Sequence, residues 1–162
     1  MAHGEAPILD PEELQTAVAV LADSEEVASF AVETTASRVY RELFTNELMS
    51  AWVIRWGDSA DTGFHDHDIS AGAVHVLQGH VREERLALGS EPRVRVYGPG
   101  ESFAFEAADI HRVTHAGDHP ALTVHLYSPP LRQMGAYLIE RSGLLRRLTI
   151  SHEEELRPLT PA

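Results

Sequence analysis

Cysteine is absent from the 162 residues of this chain. That excludes a disulfide framework, a thiolate metal site and a cysteine nucleophile. Any metal must then be held by His, Asp or Glu. Positive charge is sparse: 13 Lys and Arg stand against 25 Asp and Glu, a formal net charge of −12. A surface this acidic repels nucleic acid and anionic lipid, so neither is expected as a partner. No apolar run approaches the roughly 20 residues of a membrane-spanning helix. Met1-Ala2-His3-Gly4-Glu5 lacks the basic start and apolar stretch of a signal peptide, so a cytoplasmic protein is expected. No repeat, low-complexity stretch or linker interrupts the chain, and its length with 43% hydrophobic residues suits a single domain with a core of its own. Histidine, by contrast, is plentiful at ten.

The first part of the chain, residues 1–38, reads as a short helical cover. Asp10-Pro11-Glu12-Glu13 places a capping side chain, a proline at the first helical position and a glutamate at the third. Leu14, Val18 and Leu21 follow at helical spacing. Ser24-Glu25-Glu26 resembles a second cap, with Val27, Phe30 and Ala31 on one face.

From about residue 39 to 150 the period changes to two. Leu48, Trp52, Ile54 and Trp56 share one parity of a strand; Val74 and Val76, then Val94 and Val96, then Leu122, Val124 and Leu126 repeat the pattern. Turn residues separate the runs, as in Gly89-Ser90-Glu91-Pro92 and Gly98-Pro99-Gly100. Many short strands at this spacing predict an all-β core, an antiparallel sandwich or barrel of jelly-roll type. Residues 151–162 are polar with two prolines and read as a loosely held tail.

His65-Asp66-His67 carries the chemistry. Residues two apart on a strand point to the same side, so both imidazoles can reach one metal. An isolated His-x-His is more often a pair of surface histidines. Here Gly63 and Phe64 precede it and Gly79 closes a hairpin after the next strand, which is the spacing of the first cupin motif. The second cupin motif is recognisable but degenerate: Gly100, five residues, then Glu106-Ala107-Ala108-Asp109-Ile110-His111, with Glu106 and Ala108 where a proline and a glycine are usual. The spacing makes His111 the third ligand, with His115 the rival four residues on. His3, His80, His119 and His152 lie near termini or turns and read as solvated, and His75 shares a strand with Val74 and Val76. Where most cupins supply a glutamate ligand, this chain has Gly72. Three neutral imidazoles leave three positions of a ferrous ion open, enough for a bidentate thiolate-plus-amine chelate and O2.

These residues, with Trp56-Gly57, Leu77-Gln78-Gly79, Ile110-His111-Arg112-Val113 and His125-Leu126-Tyr127-Ser128-Pro129-Pro130, resemble the cysteine dioxygenase family of cupin-type thiol dioxygenases, over about residues 40–130. The resemblance implies one Fe(II) per chain on His65, His67 and His111. It implies a relay of Thr123, His125 and Tyr127 beside the metal, and substrate contacts from Arg41, which would grip a carboxylate, and from Trp56. Partners would be a small thiol and O2, with the chain a monomer or weak homo-oligomer. The expected reaction adds both oxygen atoms to the sulfur of L-cysteine, giving the sulfinic acid. Period two puts Thr123, His125 and Tyr127 on one face of their strand. Read without the family, His125 and Tyr127 are a satisfied buried polar pair and Arg41 is an exposed arginine beside Glu42. The nearest alternative is a dioxygenase for another small thiol, such as 3-mercaptopropionate or cysteamine; an arginine clamp argues against cysteamine. A non-catalytic metal-binding cupin would fit the degenerate second motif but has no need of an oxygen-facing tyrosine. A cupin isomerase or epimerase usually lacks the His125-x-Tyr127 segment.

Overall fold

Asp10 turns the chain into its first helix by reciprocal capping. Its carboxylate accepts the Glu13 N–H at 2.8 Å, and the Glu13 side chain accepts the Asp10 N–H at 2.9 Å. In the computed structural model, which describes residues 8–30 and 38–160, this cap opens α1 (Pro11–Ala22), followed by a single turn α2 (Glu25–Ala28). The rest is β: β1 (Arg38–Thr45), β2 (Ser50–Trp56), β3 (His65–Asp66), β4 (Ala71–Gln78), β5 (His80–Arg85), β6 (Arg93–Tyr97), β7 (Ser102–Phe105), β8 (His111–Ala116), β9 (Ala121–Ser128), β10 (Gln133–Ile139) and β11 (Leu145–Ser151). Among the described residues no helix is long and apolar enough to cross a membrane.

The strands form two sheets, in the orders β1-β2-β9-β4-β7 and β11-β10-β3-β8-β5-β6. This is the jelly-roll barrel that the strand spacing predicts. Strand β9 is buried along its whole length because both its faces are covered. Val124 and Leu126 pack outward under Leu14, Val18 and Ala22 of α1, while Tyr127 joins Trp56, Val74 and Phe105 between the sheets. Burying Leu14 and Val18 completely contributes about 1.5–3 kcal/mol for each side chain.

Several local expectations shift. The helical cover ends before residue 38, where β1 begins. Ala22 rather than Leu21 is buried on α1. Phe30 lies beyond α2, and Ala31 falls outside the described residues, as does His3. Leu48 is in a turn and not in β2: the Asn46 side chain accepts the Leu48 and Met49 N–H groups there. Val94 and Val96 are about half exposed, at 51% and 49%, because β6 is the outer edge of its sheet. The tail after Ser151 is packed, not loose. Leu156 is buried, its carbonyl accepts a hydrogen bond from Arg38 at 2.7 Å, and the Glu153 carbonyl accepts one from the Tyr40 hydroxyl at 3.2 Å. A polar segment is held here through backbone carbonyls, which composition does not reveal.

Candidate metal centre

Strand β3 is only two residues long, and Asp66 fixes it. The Asp66 carboxylate accepts two bonds from the Arg147 guanidinium at 2.9 and 3.0 Å, one from the Gly135 N–H at 3.0 Å and one from the Tyr137 hydroxyl. Burial alone would raise the Asp66 carboxyl, but the bonds from Arg147 and Tyr137 outweigh it and hold it at about 2. With Asp66 turned outward and anchored, His65 and His67 face the barrel interior. His65 stands directly opposite His111 in the β3–β8 pair.

The three imidazoles converge. All three are buried, and their ligand atoms lie within 4.8 Å of one another. Burial, followed by repulsion from neighbouring imidazoles, holds His65 and His67 well below the usual histidine range, so both are neutral, as a metal ligand must be. The His65 Nδ1–H donates to the Gly63 carbonyl at 3.0 Å. The His111 Nδ1–H donates to the Glu83 carboxylate at 2.7 Å. Because a carboxylate only accepts, this bond puts the lone pair of a neutral His111 ring on Nε2, and that atom is buried with no hydrogen-bond partner among the described residues. An unsatisfied buried lone pair costs about 1–3 kcal/mol, and a cation shared with the other two rings would satisfy it. The donor set therefore fits one divalent metal ion. His115 is turned elsewhere, with its Nε2 on the His119 carbonyl at 2.6 Å.

No fourth protein ligand can enter from the Gly72 position. A Cβ there would lie 2.4 Å from the Phe105 ring and 2.9 Å from Tyr127. Phe105 fills that space and stacks on His67 with centroids 4.5 Å apart.

Beside the imidazoles runs a polar chain on the inner face of β9. The Trp56 indole N–H donates to Thr123 Oγ1 at 2.8 Å, Thr123 Oγ1 lies 2.7 Å from His125 Nε2, and His125 Nδ1 lies 3.2 Å from the Tyr127 hydroxyl. Burial first, then repulsion from Arg38 and His111, pushes His125 down to about 3. Burial pushes the Tyr127 phenol up. At neutral pH the first is uncharged and the second keeps its O–H.

A cavity of about 70 Å³ opens on these groups, room for a handful of water-sized groups. Trp56, the three metal-site histidines, His125 and Tyr127 line it; Trp52, Ile54, Leu131 and Met134 make apolar walls. Thr123 supports it from behind, through Trp56 and His125.

Arg41 is not in this site. It pairs with Val53 across the β1–β2 ladder, and cross-strand partners face the same way. Val53 faces away from the cavity, so Arg41 is exposed, its guanidinium 4.8 Å from the Phe30 ring centroid. The cavity arginine is Arg38, which pairs with Trp56 and lies 5.4 Å over its ring. Arg38 is only 8% exposed. Among the described residues no carboxylate lies within ion-pair distance of it. Its parity with Tyr40, opposite Ile54 and Trp56, was the available signal. The tail also contributes: His152, Glu154 and Leu156 line the cavity mouth, with the His152 Nδ1–H on the Arg132 carbonyl at 3.0 Å and its ring edge-on to Trp52. Glu83 was a further missed residue; its parity with Val81 on β5 marks an inward carboxylate.

The profile of a family described as cysteine dioxygenase type I matches residues 6–141 of this sequence. The chain is 24% identical over 125 residues to cysteine dioxygenase type 1 of Homo sapiens, covering 72% of this chain and 62% of that protein. It thus spans about three fifths of the length of that relative. Two solved structures share the fold. One, from Thermus thermophilus, has a TM-score of 0.56 and 19% identity, covering 67% of this chain and 98% of its own. The other, a cupin domain from Schizosaccharomyces pombe, has a TM-score of 0.52 and 13% identity, covering 60% of this chain and 64% of its own.

Proposed function

This chain belongs to the cysteine dioxygenase type I family, and from that premise we propose that it is a non-haem iron thiol dioxygenase acting on a small carboxylate-bearing thiol, L-cysteine first among them. The carrying observation is one small cavity that joins three buried, converging imidazoles to the Tyr127 hydroxyl and the Arg38 cation. In the proposed reaction both atoms of O2 bond to the thiolate sulfur, which loses four electrons while O2 gains four, so no outside reductant is required. A ferrous ion held by His65, His67 and His111 would supply the position for thiolate and the activation of O2.

The chain's own residues do the rest. Arg38 is a buried guanidinium that touches a backbone carbonyl and an indole face, while the Glu155 and Asp61 carboxylates act on it from beyond ion-pair distance. A substrate carboxylate would add a close counter-charge, and the planar fork suits a bidentate carboxylate. Cysteamine, lacking that group, is disfavoured. Trp56 donates its only N–H to Thr123, so Thr123 is free to donate its hydroxyl hydrogen to His125 Nε2; its alternative acceptor, the Ile54 carbonyl, is at 3.5 Å. His125 then presents Nδ1–H to the Tyr127 oxygen. That polarity leaves the Tyr127 hydrogen to point into the cavity, as a donor to substrate or oxygen. The apolar walls lower the local dielectric, which strengthens each of these bonds.

Oxygen uptake by the anaerobically iron-loaded chain, measured across L-cysteine, 3-mercaptopropionate and cysteamine, tests the reading. Uptake with a carboxylate-bearing thiol, and little with cysteamine, is the expected result. No thiol-dependent uptake by iron-loaded protein would overturn it.

A further inference from the structure

We propose that Glu83 is the positioning residue of the metal centre: its buried carboxylate fixes the tautomer and ring plane of His111, and so sets how tightly the site holds a divalent ion. The proposal rests on the reading that the three histidines hold a metal.

Glu83 points inward from β5 and is 5% exposed. A buried carboxylate is costly unless it is paired and hydrogen-bonded, and Glu83 is both. The Arg85 guanidinium donates to its two oxygens at 2.9 and 3.2 Å, and the His111 Nδ1–H donates at 2.7 Å. Arg85 is itself anchored: it donates to the Ala104 carbonyl at 2.9 Å and lies 3.4 Å from Asp109. Asp109 in turn accepts the Glu106 N–H at 2.8 Å. The turn that departs from the usual cupin motif, with Glu106 and Ala108, thus feeds a charged chain that ends on one metal-site imidazole.

The bland reading is an ion pair that ties β5 to β8. That tie is not needed, because six consecutive residue pairs already fix the register from His80–Ala116 to Arg85–His111. A buried ion pair is also weak support for stability by itself. The direction of the chain is more telling. It ends on the ring nitrogen opposite the orphaned Nε2. A carboxylate behind a ligating imidazole fixes its tautomer and ring plane and pushes electron density towards the metal. The three imidazoles are unequal in this respect. His65 leans on a neutral carbonyl, and the His67 Nδ1 is buried without a partner among the described residues. With Phe105 filling the space at Gly72, the site takes its negative charge one bond removed, through His111.

The test is metal affinity, measured by chelator competition with Co(II) in air and Fe(II) under argon, on the full chain. Glu83→Gln keeps the shape and removes the charge; affinity should fall roughly ten- to a hundred-fold. Arg85→Gln leaves the carboxylate but frees it, and should cost less, roughly three- to ten-fold. It also serves should the Glu83 variant not fold. The Co(II) absorption bands of both variants should shift. In a His111→Ala background Glu83→Gln should cost nothing further, which a merely structural role would not produce. Parental affinity and unchanged bands in whichever of the two variants folds would overturn the proposal. A parent chain that takes up neither ion would overturn the metal-site reading itself, a distinguishable result.

Discussion

Replacing Arg38 by alanine removes a buried cation from the cavity wall while leaving the proposed metal ligands in place. Its worth to a bound carboxylate can be worked out. In the proposed complex two charge-assisted hydrogen bonds would form in the buried cavity, and the substrate carboxylate would lose its partner when they go. The net loss is about 2–4 kcal/mol, or roughly 30- to 1,000-fold in kcat/KM. The assay is oxygen uptake with L-cysteine, 3-mercaptopropionate and cysteamine, for the Arg38→Ala and Arg41→Ala variants. The loss should fall on the two carboxylates and largely spare cysteamine, while Arg41→Ala stays near the parent for all three. Because Arg38 also donates to the Leu156 carbonyl, a melting curve must accompany the kinetics. An equal loss for cysteamine, or a selective loss in Arg41→Ala, would refute the assignment.

Tyr127→Phe should keep fold and bound iron, since the hydroxyl bonds only with His125 among the described residues. Its kcat should fall roughly ten- to a hundred-fold, with less sulfinate formed per O2; an unchanged rate and ratio would make Tyr127 a packing residue. Gly72→Ala forces a Cβ to 2.4 Å from the Phe105 ring, and urea unfolding should show a loss of about 1–3 kcal/mol. The metal-free protein should weaken in acid. His125, near 3 when folded and about 6.5 unfolded, contributes stability that is fully present above the unfolded value and is lost as pH falls towards the folded one. Each such histidine adds a slope of up to about 1.4 kcal/mol per pH unit. His65 and His67, also held low by burial, act in the same direction. Urea midpoints of the chelator-treated chain that did not fall from about pH 7.5 to about pH 5.5 would contradict this.

The parts of the site that could be read from the sequence are those where period two and apolar neighbours agree. Thr123, His125 and Tyr127 alternate with Leu122, Val124 and Leu126, so their face declares itself. His65-Asp66-His67 does so through spacing. Strand β1 offers no such contrast: Arg38, Arg41 and Glu42 put charge on both parities, and only its register against β2 shows which arginine faces inward. Glu83 and Arg85 are masked likewise, in a strand where five of six residues are polar or charged. The tail hides because carbonyl oxygens fasten it together with only two apolar side chains, Leu156 and Leu159, set in a polar stretch.

The most direct measurement of the central claim follows isotopically labelled O2 into product. The iron-loaded chain turning over its preferred thiol should place both labelled atoms in one sulfinate, with one O2 consumed for each. Disulfide and hydrogen peroxide in place of sulfinate, or oxygen drawn from water, would contradict it.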